Sequence, residues 1–257
     1  MASHGAGYTP QELMVVAASR EIRDEEVVFV GMRLPLLAFA LAKRTHAPRA
    51  IGLFENGLVR DTPSPPSIRT MSDSPNVQGA AWATGLVEVM SLLQRGDVHL
   101  GFIGGAEVDR FGNINTNAIG NPSRPTVKLP GSGGAADIAA LAHRLVALME
   151  HEPRRLRERV DFVTSVGYGE GGAWRKKQGL VRGGPSAVIT TLGVLRFDAG
   201  TGEAYLASHH PFTSVDAVQA ATGWELRIAT DCGTTPAPTD AELRMIREAD
   251  PDGFWTR

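Results

Sequence analysis

Two short stretches of the chain combine residue types and spacing that can do chemistry. Glu55 follows the apolar run Ile51-Gly52-Leu53-Phe54 and precedes Asn56-Gly57, so a carboxylate stands where an apolar strand gives way to a turn. Ligands of open parallel sheets gather at the carboxyl ends of strands, and a carboxylate reached through apolar residues suits nucleophilic or acid–base work. A glutamate that only caps a turn has the same local pattern, and the residues by themselves leave both readings open. The second stretch is Gly131-Ser132-Gly133-Gly134-Ala135, which enters an apolar helical pattern. Consecutive glycines let main-chain N–H groups converge, so this run can hold a phosphate or the oxyanion of a thioester carbonyl. It has neither the Lys-Ser/Thr of a P-loop nor the spacing of a dinucleotide fingerprint. A plain flexible turn feeding a helix competes with the functional reading.

The elements that must position these residues follow from capping and periodicity. Thr9-Pro10-Gln11-Glu12 has the spacing of a capping box with Pro at N1, which predicts a helix over 9–23. A β-branched run at 27–30, a Leu- and Ala-rich helix at 34–45 and a strand at 51–54 follow. Four prolines between 62 and 75 predict a loop or lid directly after the glutamate. Apolar spacing at Trp82, Leu86, Val89 and Leu93 predicts a helix over 79–94, and a strand at 98–103 leads to Gly104-Gly105. A helix at 135–142 and strands at 145–149, 160–165, 187–192, 194–197 and 204–208 come next, with a hairpin turn at 198–202. A second capping box, Thr239 to Glu242, opens a helix to 249. Strands separated by helices imply a single α/β domain over 1–257, with a mostly parallel open sheet flanked by helices and an antiparallel hairpin in the last third.

Composition narrows the function classes. Lys+Arg of 26 against Asp+Glu of 28 gives 26 − 28 = −2, so no general basic field is present for nucleic acid. No apolar stretch approaches the roughly 20 residues of a membrane span, and no targeting segment is visible, so a soluble cytoplasmic protein is expected. A lone Cys232 excludes a disulfide framework and multi-cysteine metal sites; beside Asp231 it reads as an inert thiol. No metal is expected, because His143, His151, His209 and His210 have no acidic or Cys partners at ligand spacing. The basic run Arg154-Arg155-Leu156-Arg157-Glu158-Arg159 reads as a solvated helix face, and Arg175-Lys176-Lys177 as a loop within reach of a phosphate.

Read in order, Thr9-Pro10 with its helix, Glu55-Asn56-Gly57, Gly104-Gly105-Ala106-Glu107-Val108-Asp109, Phe111-Gly112-Asn113-Ile114-Asn115 and the Gly131 run resemble the β subunit of class I CoA-transferases, that of glutaconate CoA-transferase in particular. The similarity spans nearly the whole chain. Within the family the chain looks most like the small subunit of the 3-methylglutaconyl-CoA decarboxylase of an alternative isovaleryl-CoA biosynthesis route. In that branch a Cys is expected after the glutamate, whereas this chain has Asn56, completing the triplet usual in transferases.

The resemblance implies that Glu55 is the catalytic carboxylate, with Asn56 beside it and Gly133 or Gly134 giving an oxyanion N–H. It implies substrate or CoA binding at Gly104, Gly105, Ala106, Glu107, Asn113, Gly131 and Ser132. It further implies no cofactor beyond the coenzyme A of the substrate, and a homologous α subunit that completes the active site in a heterodimer or heterotetramer. Two reactions fit. In the first, an oxyanion hole stabilises the dienolate left when 3-methylglutaconyl-CoA loses CO2 to give 3,3-dimethylacrylyl-CoA. In the second, Glu55 attacks the thioester and carries CoA as a glutamyl thioester. A binding module that kept the fold without turnover is the alternative of a different class.

Overall fold

The computed structural model describes residues 7–257 except 67 and 181. Where the sequence reads as one domain over 1–257, the chain forms two compact units, Met1–Phe102 with Ala237–Arg257, and Ile103–Pro236.

The first unit contains α1 (Pro10–Ser19), β1 (Val27–Phe29), α2 (Leu34–Arg44), β2 (Ile51–Leu53), β3 (Leu58–Arg60), β4 (Trp82–Ala83), α3 (Leu86–Arg95), β5 (Leu100–Gly104) and the C-terminal helix Asp240–Ala249. Its sheet has the order β5-β1-β2-β3-β4. The pairs β5/β1 and β1/β2 are parallel, while β2/β3 and β3/β4 are antiparallel, so only β3 runs against the rest. The capping box forms as expected: Thr9 Oγ1 accepts from the Glu12 N–H at 3.1 Å, and Glu12 Oε2 accepts from the Thr9 N–H at 2.8 Å. Helix α1 ends at Ser19 rather than near 23, and all its residues from Glu12 onward are buried, as suits a helix packed between α2 and the C-terminal helix. Gly52 lets α2 lie close on the sheet, because a Cβ there would sit 2.8 Å from the Phe39 ring.

One expectation changes here. The apolar spacing at 79–94 yields a short strand and then a helix. Trp82 pairs with Val59 in the sheet, and Gly85 in extended conformation starts α3. The Pro-rich segment is a loop, as expected, and the buried Arg60 grips it through main-chain carbonyls on both sides.

The second unit adds β6 (Glu107–Asp109), β7 (Ile114–Asn115), β8 (Ala118–Ile119), β9 (Val127–Lys128), α4 (Ala135–Leu141), β10 (Arg144–Met149), β11 (Leu156–Arg157), α5 (Trp174–Lys177), β12 (Pro185–Thr190), β13 (Gly193–Phe197), β14 (Ala204–His209), α6 (Val215–Ala220) and β15 (Arg227–Thr234). Its main sheet has the order β10-β12-β13-β14-β15, and only β13 opposes the other strands. The fold is therefore α/β with a mostly parallel sheet flanked by helices, and the expected hairpin is β13–β14.

The strand expected at 160–165 reduces to one bridge between Ser165 and Ile114. The basic run at 154–159 contains strand β11 instead of a helix, and its cations face carboxylates: Arg154 meets Glu152 at 2.5 Å and Arg159 meets Glu170 at 3.6 Å. Arg175-Lys176-Lys177 lies in helix α5, and Arg175 is buried with its guanidinium on the carbonyls of Gly167 (2.8 Å) and Arg182 (2.6 Å). Among the described residues, no helix is long and apolar enough to cross a membrane.

Candidate active site

Glu55 stands at the tip of a tight turn. The Gly57 N–H donates to the Phe54 carbonyl at 2.9 Å and the Phe54 N–H to the Leu58 carbonyl at 2.8 Å, so Glu55 and Asn56 are the two central residues between β2 and β3. Phe54, fully buried, anchors the turn, and Glu55 is half-buried at its crest. Gly57 has φ of +99°, and any Cβ there would collide with the Thr84 carbonyl, so a glycine is required for the turn to meet the start of α3.

Asn56 fastens this turn to the Pro-rich segment. Its Nδ2 donates to the Met71 carbonyl at 2.7 Å, and the same oxygen accepts from Asn76 Nδ2 at 2.9 Å. Asn76 is fully buried, accepts from Ser64 at its side chain (2.8 Å), and presents its carbonyl to Arg60 Nη1 at 2.5 Å. Arg60 also reaches the carbonyls of Gln78 (3.0 Å) and Pro63 (3.1 Å). Arg60, Met71 and Asn76 thus fix the carboxylate's turn. The sequence holds one faint signal for them, an arginine inside a strand next to prolines.

In the second unit, Gly104 is exposed at the end of β5, with Gly105 and Ala106 half-buried after it. The Ala106 N–H donates to the Asn115 carbonyl at 2.9 Å. The next two expected ligand-binding residues point inward. Glu107, 1 % exposed, accepts at Oε2 from Asn115 Nδ2 (2.7 Å) and the Asp161 N–H (3.0 Å). Asn113 donates to the Asp109 carboxylate at 3.0 Å and the Gly169 carbonyl at 2.9 Å, and accepts from the Gly167 N–H at 2.9 Å. Buried polar groups need such partners. Glu107 and Asn113 therefore shape the loops around Gly104-Gly105-Ala106. Burial pushes the Asp109 carboxyl up, against the hydrogen bonds from Asn113 and Phe111 that pull it down.

The glycine run is sorted by its hydrogen bonds. Gly131, at φ +103°, donates its N–H to the Thr116 carbonyl at 2.8 Å, so that amide is committed to the fold. The Ala135 N–H closes onto the Ser132 carbonyl at 2.9 Å. Ser132 and Gly133 are exposed, Gly133 has φ of +47°, and Gly134 is buried at the start of α4. Gly133 is the more accessible of the two expected oxyanion donors.

The histidines belong to a different structure. His151 is buried, its Nδ1 2.9 Å from Thr190 Oγ1 and its Nε2 2.9 Å from Thr222 Oγ1. His210, also buried, meets Thr235 Oγ1 at 3.1 Å and the Thr190 carbonyl at 2.8 Å. Burial is the main cause that pushes each of them down to about 4. They join the ends of four strands. No group of three or more His, Cys, Asp or Glu among the described residues is arranged to hold a metal ion.

A carboxylate-bearing turn stands at the end of a parallel strand in the first unit, and an exposed glycine run leads into α4 in the second. The Coenzyme A transferase family profile matches residues 11–221, and the chain belongs to this family. It is similar to one subunit of the 3-oxoadipate CoA-transferase of Pseudomonas knackmussii, 38 % identical with 94 % of this chain and 93 % of the relative covered. It is also similar to the structure of glutaconate coenzyme A-transferase from Acidaminococcus fermentans, with a TM-score of 0.91, 32 % identity and 98 % of each chain covered. The decarboxylase AibA/AibB is a further structural neighbour, with a TM-score of 0.82, 28 % identity, and 96 % of this chain and 97 % of the other covered.

Proposed function

We propose that the chain is the β subunit of a heteromeric CoA-transferase that acts on the CoA thioester of a short dicarboxylic acid, with Glu55 as nucleophile. The observation that carries this reading is the Glu55-Asn56 turn, which sets a carboxylate at the crest of a hairpin closed by main-chain bonds and tied to Met71 through Asn56. The names of the 3-oxoadipate and glutaconate relatives support the substrate class.

In the proposed reaction the Glu55 carboxylate attacks the thioester carbonyl, the C–S bond breaks, and an acyl-glutamyl anhydride and CoA thiolate result. The thiolate attacks the glutamyl carbonyl and releases the first acid, which leaves CoA on Glu55 as a thioester. The acceptor carboxylate then repeats the two steps in reverse order, regenerating Glu55 and a new acyl-CoA. Each tetrahedral intermediate places negative charge on a carbonyl oxygen, which a main-chain N–H donor stabilises. Losing one such donor costs about 10²–10³ in rate. No cofactor enters the scheme beyond the CoA that the substrate brings.

A partner chain is part of the proposal. The relative at 38 % identity is itself a subunit of its enzyme. Residues 77–87 of this chain hold no charged side chain, yet Val77, Trp82, Leu86 and Val87 are 50 %, 49 %, 51 % and 73 % exposed. Such a patch marks a surface that another protein covers.

The likeness to AibA/AibB supports a second reading, decarboxylation of 3-methylglutaconyl-CoA. The two separate in one assay on the complex of both subunits. Acyl exchange from glutaconyl-CoA that requires acetate or another acid supports transfer. CO2 release from 3-methylglutaconyl-CoA without any acceptor supports decarboxylation and removes the first reading.

A further inference from the structure

We propose that the β8–β9 hairpin is the seat of the phosphate-bearing end of CoA, with Arg124 and Lys128 as its phosphate ligands. This rests on the reading of the chain as a CoA-thioester enzyme and extends it to residues that the proposed chemistry does not use.

Charge is the first ground. From Phe111 to Ala136, Arg124 and Lys128 are the sole charged residues, and no carboxylate interrupts the stretch. Exposure is the second: every residue from 121 to 128 is exposed, including Val127 at 50 % between the two cations. A half-exposed valine between cations suits a ligand that is anionic at one end and aliphatic along its arm, as the pantetheine diphosphate of CoA is.

The hairpin is also built to hold its shape. Ala118 pairs with Lys128 and Ile119 with Val127, and the Leu129 N–H donates to the Asn117 carbonyl at 2.9 Å. At the tip, the Arg124 N–H donates to the Asn121 carbonyl at 2.9 Å and the Ser123 N–H to Asn121 Oδ1 at 2.9 Å, with Pro122 and Pro125 stiffening the turn. A main chain already ordered loses less freedom when an anion binds. Asp161, at the hairpin's base, is engaged by the Gly120 N–H at 2.7 Å and faces Arg157 at 3.8 Å.

Position relates the hairpin to the glycine run. The Gly131 N–H bonds to the Thr116 carbonyl, so the glycine run leaves directly from the base of the hairpin. Lys128 lies on β9, on the glycine-run side of the hairpin, and Arg124 lies at the tip. Arg124 offers a planar fork for bidentate contact and Lys128 a point charge.

The test uses the complex of both subunits and measures calorimetric affinity for CoA and, separately, for pantetheine, which lacks the nucleotide and its phosphates. The double variant Arg124→Gln, Lys128→Gln is expected to weaken CoA binding about tenfold or more, as loss of hydrogen bonds to charged groups does, while pantetheine binding is unchanged. Lys128→Arg is expected to keep wild-type CoA affinity. Unaltered CoA affinity in the double variant, or an equal loss for pantetheine, overturns the proposal. So does dissociation of the subunits by native mass measurement, which would make the hairpin an interface. A wild-type complex that binds CoA at the hairpin yet exchanges no acyl group refutes the transfer reading and leaves this site standing.

Discussion

The Asn56 side chain donates to the Met71 carbonyl at 2.7 Å and so joins the turn that carries Glu55 to the Pro-rich segment fifteen residues on. Asn76 donates to the same oxygen at 2.9 Å. One carbonyl therefore holds both the turn and the segment behind it, and the buried Arg60 holds that segment in turn.

Replacing Arg60 by Met is expected to destabilise the chain by about 3 kcal/mol or more, because several buried carbonyls lose a charged donor together. Urea unfolding measures this directly. Asn76→Ala should cost less and lower turnover at unchanged subunit assembly, since Met71 then holds Asn56 alone.

The exposed apolar stretch predicts where assembly is sensitive. Trp82→Ser with Val87→Ser should weaken association with the α subunit by about 2 kcal/mol or more, in the range of central interface side chains. The isolated chain should unfold at an unchanged urea midpoint. Analytical ultracentrifugation of mixed subunits reads the first effect.

The histidine pair sets an acid limit. Both imidazoles are neutral and buried in the folded chain, pushed from 6.5 down to about 4, whereas in the unfolded chain they protonate near 6.5. Their contribution to stability is complete above pH 6.5 and is lost as pH falls toward 4, because only the unfolded state takes up the protons there. The loss is on the order of a few kcal/mol. Unfolding free energies measured between pH 7 and 4 should decline, and His151→Gln should flatten the decline. A variant with an undiminished slope would assign the acid sensitivity elsewhere.

Gly105 follows β5 where a Cβ would run into Ile114. Gly105→Ala is expected to cost about 1–3 kcal/mol and to disturb the Gly104-Gly105-Ala106 turn, raising KM for the acyl-CoA more than it lowers kcat. Thermal unfolding with steady-state kinetics separates the two effects.

Much of this arrangement was legible in the sequence where local signals agree. Thr9 and Thr239 form the two capping boxes their spacing implies. The Glu55 turn was legible because an apolar strand runs straight into Asn-Gly. Misreadings arise where partners distant in sequence decide. Trp82 fits helical spacing, but a free edge of β3 takes it into the sheet. Strand β15 was invisible because its residues are mostly exposed at the edge of the sheet, so no apolar alternation marks it. The run at 154–159 looks like a solvated helix face, yet Leu156 is buried and pairs with Val108. The resemblance offers Glu107 and Asn113 as ligands, and their burial against Asn115, Asp109 and Gly167 depends on loops folding together, which no local pattern shows.

The most direct test concerns Glu55 itself. The complex of both subunits is incubated with acyl-CoA, treated with hydroxylamine or borohydride, digested, and mapped by mass spectrometry. Covalent modification confined to the peptide bearing Glu55, and absent in Glu55→Gln, is the predicted result. Acyl exchange that proceeds with Glu55 unmodified, or that survives Glu55→Gln, would contradict the account.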